Sequence, residues 1–534
     1  MRDDTIWTFF REKATQYGDN LFLMVPADPD RAYHPDGFRM SYSQALQTAA
    51  RWKDALSQAG YGSGARVAVL MGNRPEMVLL KLALNGLGMS WVPVNPDYRP
   101  REVAYLLADC AADLVIVAPE FRGLMQAGVA ETGRAVAIVE MTTELPELPA
   151  ATNSAPKGAV TGETEASLIY TSGTTGKPKG CIMSHAYELD MGIWYASRGG
   201  AIDFREGQDR LYCPLPLFHV NAGILVLFAM IETGNCQIIP ERFRANSWWR
   251  ELTETGATVA HYLGIVIPAL MNLSEGKWDH AHGLRFAVGA GVEPTLHGPF
   301  EERFGFPLIE VWGMTEMCRI LSMHDAPRHI ETRAMGRPSE GLEVRVVDGE
   351  DREVPRGTAG EMTLRYSAKS PRKGAFSGYL NLPDVTEDAW RGGWFHTGDT
   401  VMMDESDTIY FVDRKKNIIR RSGENIAAAE IEACLQDHPK VARVAVMAVP
   451  DAMRDEEVLA CVMCEGNQAL AEELFAWCFE RLAYYKAPGW LRFVEDIPVT
   501  GTQKIQKHVM FAEGQDPTEG AYDFRHQKKR SVKI

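Results

Sequence analysis

The sequence predicts an α/β protein of two or three domains. Short apolar runs rich in β-branched residues, such as 66–71 and 114–118, alternate with longer segments of helical hydrophobic spacing. Such alternation is typical of βαβ units and largely parallel sheets. The 534 residues also exceed the ~250–300 at which one hydrophobic core stops growing. We therefore expect stacked βαβ-type sheets in more than one folding unit.

A change in sequence pattern predicts where the domains meet. After residue 340, short runs at 344–348 and 360–365 are separated by glycine, proline and charged turns, which favours a small antiparallel sheet or barrel. From Asn425 onward the spacing predicts helix, strand, strand and helix, as in a small α+β domain. We expect a large domain at 1–412, whose β-rich part covers about 340–412, and a small domain at 413–534.

Composition and charge exclude several classes of protein. The content of 46% apolar and 24% charged residues is that of a globular protein. A formal charge of −15 disfavours nucleic-acid binding, which requires clustered cations. The basic run at 525–533 is interpreted as a solvated terminus rather than an interaction arm. No apolar stretch reaches the ~20 residues of a membrane span and the start lacks a signal-peptide pattern, so we expect a cytoplasmic protein.

The most informative segment is 168–180, LIYTSGTTGKPKG. After an apolar strand it carries four hydroxyl residues, three glycines and two lysines. Hydroxyl groups, backbone N–H groups and cations on one loop suit a triphosphate. The loop is not a Walker A loop, because its spacing differs and Pro178 follows Lys177, where Ser or Thr would contact magnesium. A P-loop nucleotide hydrolase is therefore disfavoured.

This segment resembles the phosphate-binding signature of the adenylate-forming superfamily, which comprises acyl-CoA synthetases, peptide-synthetase adenylation domains and luciferases. Further motifs occur in that family's order over nearly the whole chain. The segments 214–221 (PLPLFHVN) and 412–419 (VDRKKNII) are most similar to crotonobetaine/carnitine–CoA ligases. The resemblance implies a ligase that uses ATP and Mg²⁺, joins a carboxylic acid to coenzyme A through an acyl-adenylate, and serves fatty-acid or carnitine-type acid metabolism.

The resemblance also assigns the nucleotide site. In 310–316 (EVWGMTE), Trp312 would stack on adenine, Thr315 would contact phosphate and Glu316 would hold Mg²⁺. Asp399, in 394–399 (WFHTGD), would accept both ribose hydroxyls. The remaining residues that the resemblance places at the nucleotide are Thr171, Ser172, Gly173, Thr174, Thr175, Lys179, Gly289, Ala290, Gly291, Glu310, Gly313, Met314 and Arg414.

Segment 411–426 is similar to the family's junction between a large domain and a small, mobile one. Lys416 would be the hinge about which the small domain rotates. The tunnel for the pantetheine arm of coenzyme A would be lined by Ser422, Gly423 and Glu424.

Segment 498–507 (PVTGTQKIQK) resembles the motif that carries the family's catalytic lysine, which would be Lys504. The residue before it is Gln503, where the family usually has glycine. Lys507 is therefore kept as the alternative.

The identity of the acid stays open at this stage. His219 stands where amino-acid-activating domains carry an aspartate for the α-amino group, so a free amino acid is disfavoured and a role in orienting the substrate carboxylate is preferred to that of a core histidine. Trp248 and Trp249 serve equally as pocket wall or core. Betaine-like, aryl, short-chain and medium-chain acids remain, and the oligomeric state is open, a homodimer being one alternative.

Two rival functions are also kept. The first is an adenylating enzyme with another acceptor, such as a carrier protein or oxygen. The second is a nucleotide-binding protein without turnover.

Overall fold

Two sheets of mostly parallel strands form the large domain. The computed structural model describes residues 4–152, 158–171, 177–414, 418–498, 507, 510–512 and 514–529. The first sheet consists of β3 (Arg66–Leu70), β4 (Ser90–Pro93), β5 (Leu114–Val117), β6 (Ala137–Glu140), β7 (Glu165–Thr171), β8 (Lys179–Ser184) and β18 (Gly378–Tyr379). Its spatial order is β18-β8-β7-β4-β3-β5-β6, parallel from β7 to β6 and antiparallel at β8 and β18.

The second sheet has the same mixed character. It consists of β1 (Leu21–Val25), β2 (Phe38–Ser41), β9 (Arg210–Tyr212), β10 (Cys236–Ile238), β11 (Val259–Leu263), β12 (Phe286–Ala290), β13 (Leu308–Met314) and β14 (Met317–Ser322). The order is β14-β13-β12-β11-β9-β10-β1-β2, and only the two edge strands β14 and β2 pair antiparallel. Because β11, β12 and β13 are parallel neighbours, their carboxyl ends meet at one edge of the sheet.

The helices of the large domain pack on these sheets. Helices α1, α2, α3, α6 and α7 share one hydrophobic core with strands of both sheets. The helices are α1 (Ile6–Gln16), α2 (Tyr42–Gln58), α3 (Pro75–Asn85), α4 (Pro100–Asp109), α5 (Arg122–Thr132), α6 (His185–Ala196), α7 (Leu227–Thr233), α8 (Ala245–Thr255), α9 (Val266–Met271), α10 (Pro294–Phe304) and α11 (Pro383–Ala389), with 3-10 turns at Pro119–Phe121 and Arg391–Gly393 and a π-helical segment at Asn221–Val226.

A third, antiparallel sheet continues the large domain. Its strands are β15 (Ala334–Gly336), β16 (Glu343–Val347), β17 (Ala359–Arg365), β19 (Phe395–Met403) and β20 (Ile409–Arg414), in the order β15-β20-β19-β17-β16. The sheet reaches Arg414, just beyond the expected boundary at residue 412, because β20 pairs with β19 as far as Asp399 opposite Arg414.

The small domain has its own sheet and core. Its strands are β21 (Ile418–Arg421), β22 (Glu424–Ala427), β23 (Arg443–Asp451), β24 (Asp455–Met463), β25 (Trp490–Val494) and β26 (Tyr522–Asp523), and its helices are α12 (Ala428–Gln436) and α13 (Gln468–Arg481). The order is β22-β21-β24-β25-β26, with β23 also paired to β24. The α/β class, with a large domain followed by a small α+β domain, is confirmed.

The described part of the basic tail is anchored to the small domain. Strand β26 pairs with β25, and the next residue, Phe524, stacks on Phe475 with ring centroids 4.8 Å apart. Lys528 is 2% exposed. The interpretation of this run as a solvated terminus is therefore wrong for Lys528, because the pairing of β26 and the packing of Phe524 carry it into the core, whereas His526, Gln527 and Lys529 are exposed.

Within the described part of the chain, no helix combines the length and apolar character needed to cross a membrane.

Helix α3 contains a buried cation. Every residue of α3 is buried, including Lys81. The Lys81 Nζ lies 2.7 Å from Glu188 Oε2 on α6 and 2.7 Å from the Oγ of Ser167 on β7. Burial lowers the pKa of Lys81. An ion pair removed from water in this way ties α3, α6 and the first sheet together, and neither member tolerates loss of the other.

We expect Glu188→Ala to lower the free energy of unfolding by ~3–5 kcal/mol, because an uncompensated buried ammonium remains. The measurement is urea unfolding followed by far-UV circular dichroism. Arg51→Ala is the matched control, since the Arg51–Glu144 pair is exposed and such pairs contribute only ~0–1 kcal/mol. The double variant Lys81→Met/Glu188→Leu should recover most of the loss; equal effects of Glu188→Ala and Arg51→Ala would contradict this account.

Candidate functional site

A cavity of about 450 Å³ lies where the large and small domains meet. The large domain contributes the carboxyl ends of β11, β12 and β13 together with residues of β7, β8 and β19. The small domain contributes the hairpin β21–β22. Turns that follow adjacent parallel strands converge at one sheet edge, which places side chains distant in sequence around one space.

Most of the described residues that the sequence analysis assigned to the site line this cavity. They are Thr171, Lys179, His219, Gly289, Ala290, Gly291, Gly313, Met314, Thr315, Glu316, Asp399, Ser422, Gly423 and Glu424. Glu310 and Trp312 lie behind the lining. Outside the described residues are Ser172, Gly173, Thr174, Thr175, Lys416, Lys504 and the side chain of Arg414.

Trp312 holds the carboxylate of Asp399. Its indole Nε1–H donates to Asp399 Oδ2 at 2.8 Å, and the residue is 4% exposed. A hydrogen bond to a charged acceptor is directional and comparatively strong. The tryptophan therefore orients the proposed ribose-binding carboxylate, a role the sequence analysis did not anticipate, while stacking of Trp312 on adenine stays a prediction.

Glu361 organises the backbone beside Asp399. Its Oε1 accepts the N–H of Gly398 at 3.0 Å, and its Oε2 lies 3.3 Å from His396 Nδ1. The side chain comes from β17, across the third sheet from the WFHTGD motif. No local signal in the sequence pointed to Glu361, because the pairing of β17 with β19 creates the contact.

Glu310 braces the glycine turn after β12. Its carboxylate accepts the hydroxyl of Tyr262 at 2.7 Å and the N–H of Gly291 at 2.9 Å, and burial raises its pKa. Gly291 has a φ of +87°, and a Cβ on Gly289 would lie 2.4 Å from the carbonyl oxygen of Tyr262. Glycine is therefore required at both positions by the backbone itself.

Glu316 contributes a carboxylate to the cavity lining. The hydroxyl of Tyr379 donates to Glu316 Oε1 at 2.7 Å. The Nζ of Lys179 lies 3.9 Å from the centre of the Tyr379 ring. An oxygen ligand in a phosphate-compatible cavity fits Mg²⁺, which prefers hard donors.

His219 faces the small domain across the cavity. Its Nε2 lies 4.0 Å from Glu424 Oε2, and 40% of its side chain is exposed, since it borders the cavity. Burial lowers the pKa of His219 to about 4. The imidazole is therefore neutral at pH 7 and can act as a hydrogen-bonding group rather than as a cation.

Trp248 and Trp249 belong to the core. They are 2% and 5% exposed and pack in an aromatic cluster beneath the second sheet. Neither lines the cavity in the described structure.

The tip of hairpin β21–β22 enters the cavity. Arg421 pairs with Glu424, so Ser422 and Gly423 form a two-residue turn with φ values of 51° and 91°. Such a turn matches the twist of the two strands. The positive φ of Gly423 favours glycine here, and the turn lies against the end of β11, since a Cβ on Gly423 would lie 2.4 Å from Leu263 Cδ1.

A buried cation holds the small domain in this orientation. Lys486 Nζ lies 2.6 Å from Glu102 Oε1 of the large domain and 2.7 Å from Glu430 Oε1 of the small domain. Burial opposes the charge, but the two carboxylates hold the pKa of Lys486 well above its ordinary value. Beside it, Asn95 Nδ2 donates to the hydroxyl of Tyr485 at 3.1 Å. No local pattern in the sequence marks this cluster, because its members lie in three separate segments.

Lys507, the alternative catalytic lysine, is engaged elsewhere. Its Nζ lies 2.6 Å from Glu432 Oε1 and donates to the carbonyl of Val446 at 2.6 Å. In the described orientation it does not line the cavity. The preference for Lys504 over Lys507 stays a prediction, since Lys504 lies outside the described residues.

Comparison with known proteins identifies the family. The model of AMP-binding enzymes matches residues 10–380, and that of the AMP-binding enzyme C-terminal domain matches 430–504. The chain is similar to the sulfoacetate–CoA ligase of Cupriavidus necator, with 30% identity over 94% of this chain and 97% of the relative. It is also similar to the crotonobetaine/carnitine–CoA ligase of Proteus mirabilis, with 29% identity over 88% of this chain and 93% of the relative.

Two solved structures of one enzyme, the o-succinylbenzoate–CoA synthetase of Bacillus subtilis, share this fold at 23% identity and cover 95% of this chain and 98% of their own. A double mutant bound with its product analogue has a TM-score of 0.80, and the complex with AMP has one of 0.65. The family models, the curated relatives and the shared fold agree, and the chain therefore belongs to the AMP-binding enzymes and is an AMP-forming acid–thiol ligase.

Proposed function

We propose that this chain activates a carboxylic acid with ATP and transfers the acyl group to coenzyme A, and that its small domain changes orientation between the two half-reactions. The observation that carries the proposal is the shared cavity. The large domain lines this cavity with groups suited to a nucleotide, namely Lys179, Thr315 and Asp399. The small domain lines the same cavity with its hairpin tip, Ser422–Glu424.

In the first half-reaction a carboxylate oxygen attacks the α-phosphorus of ATP, and pyrophosphate leaves with the electrons of the broken P–O bond. Both reactants are anionic, so the barrier is largely electrostatic. Lys179 and Thr315 would contact phosphate oxygens, Asp399 would accept the ribose hydroxyls, and Lys504 would stabilise charge at the α-phosphate. Neutral His219 would donate to the acid without trapping its carboxylate in an ion pair.

Glu316 would hold the magnesium ion that accompanies ATP, beside the phosphate contact of Thr315. When bound, such an ion disperses phosphate charge. The hydroxyl of Tyr379 donates a hydrogen bond to Glu316 Oε1. This bond fixes the plane of the carboxylate and therefore also the direction of its second oxygen.

In the second half-reaction the thiol of coenzyme A attacks the acyl carbon, its proton passes to solvent, and AMP leaves with the electrons of the acyl–oxygen bond. The thiol must reach the mixed anhydride inside the cavity. The hairpin tip at Gly423 lies against Leu263, next to His219. We propose that this orientation of the small domain serves the second half-reaction, in which Ser422–Glu424 guide the pantetheine arm.

The two structures of the Bacillus subtilis enzyme support that assignment. One of them is a double mutant, and the TM-score with this chain is 0.80 for that complex with the product analogue and 0.65 for the complex with AMP. We propose that the higher score reflects a domain arrangement closer to that of the complex with the product analogue. The first half-reaction would need a rotation about Lys416 that brings Lys504 to the cavity.

We expect Asp399→Ala to raise the Michaelis constant for ATP by ~10–100-fold, because the ribose loses a charge-assisted partner worth ~1.5–3 kcal/mol. The measurement is pyrophosphate release at varied ATP. Trp312→Phe, which removes only the bond that orients Asp399, should give a smaller rise of the same kind. An unchanged ATP dependence in Asp399→Ala would remove this carboxylate from the site.

Two further variants should show opposite defects. Lys486→Met should slow transfer from preformed acyl-adenylate to coenzyme A by ~10-fold or more, the effect of one charge-assisted hydrogen bond, while adenylation is retained. Lys504→Ala should lose adenylation by ~10²–10³ and keep the transfer step.

The matched control for Lys486→Met is Arg101→Ala. Arg101 also crosses the domain boundary, 3.6 Å from Asp437, but the pair is exposed and should contribute little. Equal loss of both half-reactions in Lys486→Met and Lys504→Ala would contradict domain alternation. Release of free acyl-adenylate without thioester would instead favour another acceptor, and nucleotide binding without acid-dependent pyrophosphate release would favour a protein without turnover.

A further inference from the structure

One wall of the cavity is apolar. It is formed by α6, the π-helical segment and strands β13 and β14, together with the loop before that segment. Its side chains, all at most 9% exposed, are Met191, Leu215, Leu225, Val311 and Ile320. A wall of this composition favours an apolar occupant by roughly 25 cal/mol for each Å² removed from water.

Asn221 is a polar group within this wall. Its Oδ1 lies 2.8 Å from His261 Nδ1, and His261 Nε2 lies 2.8 Å from the hydroxyl of Tyr195. Burial lowers the pKa of His261 to about 3, so the ring is neutral. One end of the Asn221 amide is thus bound to the ring, and the amide plane is fixed. The residue borders the cavity, where its remaining hydrogen-bonding capacity is available to a ligand.

The charges of the lining lie elsewhere. Those of the large domain are Lys179, Glu316 and Asp399, on the nucleotide side, and the small domain supplies Arg420, Glu424, Glu430, Asp455 and Lys486. Among the lining residues that the structure describes, α6, the π-helical segment and β11–β13 contribute no ionised side chain. A sulfonate or quaternary ammonium placed against this wall would lose its hydration without a counter-charge, at a cost of several kcal/mol.

We propose that the acid activated by this chain has an uncharged acyl group, whose apolar body lies against Met191, Val311 and Ile320 and whose hydrogen-bonding substituent meets Asn221. This inference rests on the proposed function and names its substrate class. It separates the chain from the two similar ligases, whose names state a sulfonated acid and a quaternary-ammonium acid.

The test compares acids that differ in one distal group. Thioester formation is measured with hexanoate, 6-hydroxyhexanoate and adipate, and with benzoate, 4-hydroxybenzoate and terephthalate, alongside sulfoacetate and carnitine. We expect kcat/KM to fall by ~10²-fold or more from each neutral acid to its charged partner, since an unpaired buried charge costs several kcal/mol. Asn221→Leu should lower kcat/KM ~10-fold for a hydroxylated acid and little for its plain counterpart.

Failure of this inference differs from failure of the proposed function. Turnover of sulfoacetate, carnitine or the dicarboxylates at rates equal to the neutral acids would overturn the substrate class while leaving the ligase intact. So would an equal effect of Asn221→Leu on both members of a pair. Absence of acid-dependent pyrophosphate release with every acid would instead overturn the proposed function.

A second, independent observation concerns the end of the chain. Arg421, which directly precedes the turn of the hairpin, is 1% exposed, and its Nε donates to Glu457 Oε2 at 2.8 Å. The other oxygen of Glu457 accepts from the Nζ of Lys528. All three side chains are almost completely removed from water. The orientation of Arg421 therefore depends on a carboxylate that the tail of the chain holds from the other side.

The tail reaches this position by backbone pairing and aromatic packing. Strand β26 pairs with β25, and Phe524 packs on Phe475. Burial and the neighbouring cations Arg421 and Arg454 lower the pKa of Lys528 to about 7. The tail lies beyond residue 504, where the match to the family's C-terminal domain ends.

We infer that Lys528 is a positioning residue for thioester formation: through Glu457 and Arg421 it holds the turn Ser422–Gly423 in the cavity. In the described structure the side chain itself does not line the cavity. Its effect should therefore be confined to the half-reaction in which the hairpin tip lines the cavity.

The test is Lys528→Met in the full-length enzyme, with Lys529→Met as the matched control, because Lys529 is exposed. We expect pyrophosphate exchange to stay within ~2-fold while transfer from preformed acyl-adenylate falls ~10-fold and the Michaelis constant for coenzyme A rises, the effect of one charge-assisted hydrogen bond. Lys528→Arg should recover part of the transfer rate.

A structural role alone would give a different result. If loss of Lys528 only destabilised the small domain, adenylation would fall as much as transfer, since the small domain carries Lys504. Equal loss of both half-reactions, or an unchanged transfer rate in folded Lys528→Met, would overturn the inference. Circular dichroism at the assay temperature establishes that the variant is folded.

Discussion

The site depends on a single buried cation between two domains. Lys486 is bonded to Glu102 on one side of the boundary and to Glu430 on the other. One ammonium faces two carboxylates away from water, so burial raises the pKa of Glu102 while both carboxylates stabilise the charge of Lys486. Such a cluster favours the orientation in which Glu102 of the large domain meets the pair Lys486–Glu430, because rotation of the small domain would separate Glu102 from the cation. It thereby defines which small-domain residues face the cavity.

The groups that line the cavity are held in place by different contacts. Asp399 and the turn after β12 are held rigidly, by the indole N–H of Trp312 and by the carboxylate of Glu310. The hairpin tip at Ser422 and Gly423 is instead held from outside the cavity, through Arg421 and Glu457. In the proposed mechanism, a nucleotide site on fixed strand ends and an acceptor channel on a separate domain would allow one space to serve two reactions in turn.

The acyl wall explains how relatives of similar sequence can differ in substrate. The nucleotide chemistry is common to the family, and its residues occur in recognisable motifs. The wall is drawn from α6, the π-helical segment and β13–β14, and these elements carry ordinary apolar residues such as Met191 and Ile320. A charged distal group requires a charged partner here, and Asn221 provides only an amide.

The sequence by itself determined the α/β class, the order of the domains and the motifs that supply Lys179, Glu316, Asp399 and the glycine turns of the cavity. Phosphate loops, glycine turns and ribose-binding aspartates each require particular residue types at neighbouring positions in the chain. Such requirements appear in the sequence as recognisable motifs. Only the tertiary structure decided the partners: Trp312 beneath Asp399, Glu361 beneath Gly398, and Lys486 between two domains. It also showed that Lys528, interpreted from its basic neighbours as solvated, is buried against Glu457. These contacts join residues that are 37 to 384 positions apart in the sequence. Hydrophobic and charge patterns describe only the neighbours of a residue along the chain, so they do not identify its partner across the fold.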